Sequence, residues 1–107
     1  MSNINKLKEY QEFTRTTAIY PKEKALEYLA LGLCSESGEV AGKAKKIIRD
    51  GVDLKEQILA ELGDCLWYIS EIASELDTDL EQVLDSNIAK LKDRKARDVL
   101  KGSGDNR

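Results

Sequence analysis

Two short acidic words, Glu36-Ser-Gly-Glu39 and Glu61-Leu-Gly-Asp64, stand at matching places in two segments whose apolar residues recur with a helical period. In each word the two carboxylates are three residues apart, a spacing that puts both on one side of an α-helix. Between the segments lies Asp50-Gly51-Val52-Asp53, which reads as a turn, with the midpoints of the words roughly 13 residues before it and roughly 12 after. At about 1.5 Å of rise per residue, two helices folded back on this turn bring the words to the same height. The first apolar stripe is Leu26, Leu29, Ala30, Leu33, Val40, Ala41, Ala44, Ile47 and Ile48, and Glu36, Glu39 and Lys43 lie on one flank of it. On the second segment Glu61, Asp64 and Tyr68 flank the stripe Ile58, Leu62, Cys65, Leu66, Ile69, Ala73 and Leu76 with the same sign. Flanks of equal sign on antiparallel helices face the same side. The pattern therefore predicts a single cluster of four carboxylates.

Such a cluster repels itself in a partly desolvated groove unless a cation sits within it. Hard oxygen ligands suit Mg²⁺ or Mn²⁺ rather than softer metals. With 20 acidic residues in the chain, single pairs of this spacing also arise by chance, as at Glu9/Glu12, Asp50/Asp53 and Asp53/Glu56. Two level pairs on matching flanks, each with an inserted glycine, are a stronger signal than any one of them.

The rest of the composition narrows the chemistry. Neither a zinc site nor a Glu-x-x-His di-iron bundle nor a histidine-dependent triad fits a chain with no histidine. Cys34 and Cys65 read as small, reduced core or near-core residues. Charged residues make up 35% of the chain at a net charge of −3, so no basic footprint for nucleic acid is present. With no run of about 18 apolar residues and no signal-peptide core after Met1, the expected location is the cytoplasm, without membrane attachment. A chain of 107 residues makes a thin core, which points to self-association.

Four helices are expected. The first opens at Ser2 or Asn3, carries Ile4, Leu7, Tyr10, Phe13 and Thr17 on one side and ends before Tyr20-Pro21, because a residue preceding proline disfavours the helical conformation. The second runs from about Lys22 to Arg49 and contains Gly32, Gly38 and Gly42, a pattern suggesting close helix approach or a bend near the acids. Asp53-Leu-Lys-Glu56 and Thr78-Asp-Leu-Glu81 read as capping boxes opening the third and fourth helices. The fourth bears Leu80, Val83, Leu84, Ile88 and Leu91, with Asn87 inside that stripe as either a satisfied structural residue or a ligand-facing one. From residue 96 the periodicity ends, which predicts a mobile tail over 96–107, either a frayed terminus or a lid bearing Lys101 and Arg107. Lys43, Lys46, Arg49, Lys90 and Arg94 are the cations available for phosphate, and Trp67, about 100° round the helix from Tyr68, is assigned to the core or a subunit interface.

The segments Leu31-Gly-Leu-Cys-Ser-Glu-Ser-Gly-Glu-Val-Ala-Gly-Lys43, Glu61-Leu-Gly-Asp-Cys-Leu-Trp-Tyr-Ile69 and Asn87-Ile-Ala-Lys-Leu-Lys-Asp-Arg94 resemble the MazG-like, all-α nucleoside triphosphate pyrophosphohydrolases of the short, single-domain form. The resemblance implies an all-α, four-helix bundle over residues 1–95 that self-associates as a homodimer or homotetramer. It implies a Mg²⁺-dependent enzyme, with Mn²⁺ able to substitute, that converts a nucleoside triphosphate and water to the monophosphate and pyrophosphate. Glu36, Glu39, Glu61 and Asp64 become the metal ligands and catalytic residues, one of them, with Glu39 a candidate, orienting the attacking water. Lys43, Tyr68, Asn87, Lys90 and Arg94 become substrate-binding, with Tyr68 at the base or sugar. Arg97-Asp98 departs from the Arg-Gly often found in such relatives and leaves the local turn open. A non-catalytic helical oligomer with an acidic groove is the alternative, but the lysines and arginines beside that groove would repel a basic partner.

Overall fold

The computed structural model describes residues 6–105, so the proposed first cap at Ser2 or Asn3, the apolar Ile4 and the tail residue Arg107 lie outside the described residues. Four α-helices follow one another: α1 (Lys6–Arg15), α2 (Ala25–Asp50), α3 (Lys55–Glu75) and α4 (Leu80–Ala96), with one 3₁₀ turn, Lys22–Lys24, leading into α2. No strand occurs among the described residues. The fold is all-α, as the helical periodicity predicts.

The α2–α3 hairpin is the frame. Gly51 closes α2 with φ of 64°, and its N–H donates to the Ile47 carbonyl, so the chain reverses at the turn read from the sequence. The capping boxes differ in detail. Asp53 accepts from the Lys55 N–H rather than from Glu56, and α4 is capped by Asp79, which accepts from the Gln82 N–H, rather than by Thr78. The Thr78 carbonyl is engaged by the Gln11 side chain, while the Gln11 amide oxygen takes the Leu80 N–H. Gln11 thus staples α1 to the corner between α3 and α4.

The core sits at the end of the hairpin away from the turn, where Tyr20, Ala25 and Leu29 pack with Ala18, Trp67, Tyr68 and Ile72. The face that α1 buries is not the apolar one predicted: Gln11 and Thr14 are buried, and Phe13 is 63% exposed. Hydrogen bonding explains the rotation. Thr14 donates to Glu71 Oε2 at 2.7 Å and meets Ser70 Oγ at 2.9 Å, so α1 docks through a polar seam that apolar periodicity cannot reveal. Much of the predicted apolar surface on the other helices lies open. Val83, Leu84, Ile88 and Leu91 of α4 and Leu62 and Leu66 of α3 are all exposed, as are Ile47 and Ile48 of α2. Asn87 is therefore exposed rather than buried, because none of the described residues covers its stripe. The radius of gyration, 16.6 Å, exceeds the roughly 13 Å of a compact domain of this length.

Candidate functional site

The helical spacing works out across the hairpin much as the two acidic words require. Carboxylate oxygens of Glu36 on α2 and of Glu61 and Asp64 on α3 lie within 4.8 Å of one another. Lys43 closes one side, with its Nζ 3.8 Å from Glu61 and 3.8 Å from Glu39. Glu39 stands apart from the other three and faces solvent beside Lys43. An i,i+3 neighbour is turned by roughly 60° around the helix, so with Glu36 aimed at α3 the Glu39 side chain swings outward.

Electrostatics mark this cluster as under-neutralised. The Glu36 carboxyl is held above the usual range, first by the hydrogen bond it shares with Glu61, then by loss of water and by the charges of Asp64, Glu61 and Glu39. Carboxyl groups brought this close hold their protons more tightly than isolated acids do. That is the state expected where negative oxygens converge without a full complement of donors. Oxygen-only donors at this mutual distance suit a hard divalent cation.

An aromatic row adjoins the acids. The Tyr68 ring lines one hollow with Glu36, Asp64 and Trp67, and another with Tyr28, Leu31, Gly32, Ser35 and Glu36. Trp67 stands edge-on to Tyr68 at 5.0 Å and to Tyr20 at 6.4 Å, and its indole N–H donates to Thr17 Oγ1 at 2.7 Å. It serves the core side of the row. Tyr10 of α1 also feels the cluster: burial first, then the charge of Asp64, raises its phenol. Sequence reasoning missed Tyr10 and Tyr28. Tyr28 could have been found, since it lies one and two turns before Gly32 and Glu36 on the same side of α2.

The remaining proposed ligands are placed elsewhere in the single chain. Asn87 and Lys90 line a hollow with Thr78, Gln82, Val83 and Ser86. Arg94, nearly buried, donates to Asp105 at 3.1 Å, and Lys90 reaches the same carboxylate at 3.3 Å. Helix α4 packs on α1 and α3 and not on α2, so it does not meet the helix that carries Glu36. The turn at Asp98 has a definite form: φ is 57°, and the Val99 N–H donates to the Arg94 carbonyl at 2.9 Å. This left-handed conformation favours glycine and admits aspartate, so Arg97-Asp98 keeps a turn that an Arg-Gly pair would also make. Cys34 is exposed rather than near-core, while Cys65 is half-buried, its Sγ 3.9 Å from Ser37 Oγ; both are free thiols.

Comparison with known proteins adds three findings. Over 109 aligned residues the chain is 44% identical to the Gene 37 protein of Mycobacterium phage L5, covering 92% of this chain and 96% of that protein, whose name assigns no activity. No solved structure matches the chain. Residues 24–98 match the MazG nucleotide pyrophosphohydrolase domain. Because that match takes in the whole of α2, α3 and α4 and with them both acidic words, the chain belongs to the MazG nucleotide pyrophosphohydrolase domain family.

Proposed function

We propose that this protein is a Mg²⁺-dependent nucleoside triphosphate pyrophosphohydrolase that converts a (deoxy)nucleoside triphosphate and water to the monophosphate and pyrophosphate. The observation that carries the reading is the convergence of Glu36, Glu61 and Asp64 oxygens within 4.8 Å, at the acids of the family's two words. Glu36, Glu61 and Asp64 hold the metal, and Glu39 joins them by leaving Lys43. When bound, Mg²⁺, or Mn²⁺ in its place, neutralises charge on the triphosphate and lowers the pKa of bound water. Alternatively Glu39, outermost of the four, orients the attacking water instead of binding the metal. Lys43 then turns to a phosphate oxygen, and Tyr68 supports the base or sugar. The biological role is control of a nucleotide pool, by removal of noncanonical or surplus nucleotides, in the cytoplasm and without nucleic acid or membrane as partner; among the described residues no helix is long and apolar enough to cross a membrane.

The working form is a homodimer or homotetramer. Support comes from the open α4 stripe and the large radius of gyration, since a second copy can cover Val83, Leu84, Ile88 and Leu91. Assembly also gives Asn87, Lys90 and Arg94 a route to phosphates, with Asp105 and the tail leaving as a lid. Light scattering at micromolar concentration is expected to give a dimer or tetramer; a 12.0 kDa monomer with full activity overturns this part. The reaction itself is tested by hydrolysis in ¹⁸O-labelled water. Attack on the α-phosphorus puts the label on the nucleoside monophosphate, whereas label in pyrophosphate or release of orthophosphate contradicts the proposed cleavage.

A further inference from the structure

Gly32 holds a place that no other glycine of the hairpin helices shares. A methyl group on its Cα would stand 2.8 Å from Tyr68 Cδ1 and overlap Cε1 and Cζ, while the same group at Gly38, Gly42 or Gly63 would meet nothing within 4 Å. The Tyr68 ring therefore lies directly on the backbone of α2. It forms one wall of the hollow, about 370 Å³, that Tyr28, Leu31, Gly32, Ser35 and Glu36 complete. Tyr28 supplies a second aromatic wall. Both rings are held by neighbours: Tyr28 stacks on Tyr20 with centroids 5.6 Å apart, and Tyr68 abuts Trp67. Aromatic rings fixed in this way are suited to a flat, uncharged group.

Glu36 belongs both to this hollow and to the carboxylate cluster. A ligand whose phosphates lie at the acids thus has its other end beside Tyr28 and Tyr68. We propose that the hollow seats the base of the nucleotide between Tyr28 and Tyr68, with Gly32 as the positioning residue that lets the Tyr68 ring sink against α2. This rests on the nucleotide reading given above. Gly32→Ala is expected to drive the ring outward into the space the base needs, without touching the metal ligands.

The test is equilibrium binding of the α,β-methylene analogues of the four common deoxynucleoside triphosphates, with inorganic tripolyphosphate as a probe that has phosphates and no base. Gly32→Ala and Tyr28→Ala are each expected to weaken analogue binding about tenfold, within the range of base-on-ring stacking, and to leave tripolyphosphate binding unchanged. Tyr28→Phe should restore binding, since the ring and not the hydroxyl forms the wall. In a Tyr68→Ala background Gly32→Ala should add nothing, because its whole effect passes through that ring. Equal losses for tripolyphosphate and the analogues, full additivity with Tyr68→Ala, or wild-type binding of the analogues no tighter than of tripolyphosphate overturns the assignment. The analogues cannot be cleaved, so a chain that binds them base-dependently yet releases no pyrophosphate from natural triphosphates would refute the proposed reaction and leave the base slot standing.

Discussion

Helix α3 carries two pairs of acids, about one turn apart within each pair, that end in opposite situations. Glu71 and Glu75 meet a converging set of donors. Glu71, fully buried, accepts from Thr14, Arg15 and Tyr20, and Glu75 from Tyr20, Arg15 and Lys22. Tyr20 first and Arg15 next hold the Glu75 carboxyl below its usual range. Glu61 and Asp64 instead meet a third carboxylate, Glu36, and Lys43 at 3.8 Å. The first group has its counter-charges within the chain, whereas the second has, among the described residues, Lys43 alone for three carboxylates. Acid spacing alone does not separate a structural pair from a binding one. The donors opposite do.

Breaking the satisfied group should have the largest effect on folding and none on metal binding. Glu71→Ala leaves Arg15, Tyr20 and Thr14 without their acceptor and is expected to cost about 3 kcal/mol, the low end for a buried pair because Arg15 keeps some contact with water. Urea denaturation measures it; a loss under about 1 kcal/mol would mean that the seam between α1 and α3 holds without its central acceptor. On the other side of the comparison, Asp64→Asn or Glu39→Gln should lower kcat by at least about 10²-fold, comparable to losing a preorganised electrostatic group, with little change in stability. Near-normal turnover in both variants would detach the acidic words from catalysis.

The two groups were unequally legible in the sequence. The unsatisfied one could be read because it depends on local arithmetic: two i,i+3 pairs, a turn between them and apolar stripes that fix which flank faces which. The satisfied one could not, since it depends on which face of α1 meets α3, and that choice was made by Gln11, Thr14 and Arg15 rather than by the apolar Phe13, which is left exposed. The inserted glycines were only partly informative. Gly32 marks a close approach, whereas Gly38, Gly42 and Gly63 border open space. Asn87, Lys90 and Arg94 were legible as a motif and not as a place, because the contacts within one chain do not carry the middle of α4 to α2.

A metal sharpens the contrast at the next level of effect. On the proposed function Mg²⁺ would bind the native cluster and not the unfolded chain, so at a hundredfold excess over Kd it should stabilise the wild type by about 2.7 kcal/mol. Melting followed by circular dichroism at 10 mM Mg²⁺ reads this, and an unchanged Tm would count heavily against the site. The smallest effect is in pH, where the two groups should differ in sign. Glu36 has a raised carboxyl, so without metal the native state binds the extra proton and stability falls as pH rises from the ordinary carboxylate range through the raised value. Glu75 has a lowered carboxyl, so its contribution is present above the ordinary value and is lost as pH falls through the lowered one. Denaturation midpoints between pH 3 and 7 should show the first slope vanish in Glu36→Gln and the second persist; an unaltered profile in that variant contradicts the assignment.

The most direct measurement is calorimetric titration of Mg²⁺ into three proteins: the wild type, Glu36→Gln combined with Asp64→Asn, and Glu75→Gln. Millimolar or tighter binding in the wild type, its loss in the double variant and its retention in Glu75→Gln are the predicted results, because the charge deficit lies at Glu36, Glu61 and Asp64 and not at the acids that Arg15 and Tyr20 already satisfy. Equal binding by all three proteins, or none by the wild type, would contradict the claim that the two acidic words form a metal site.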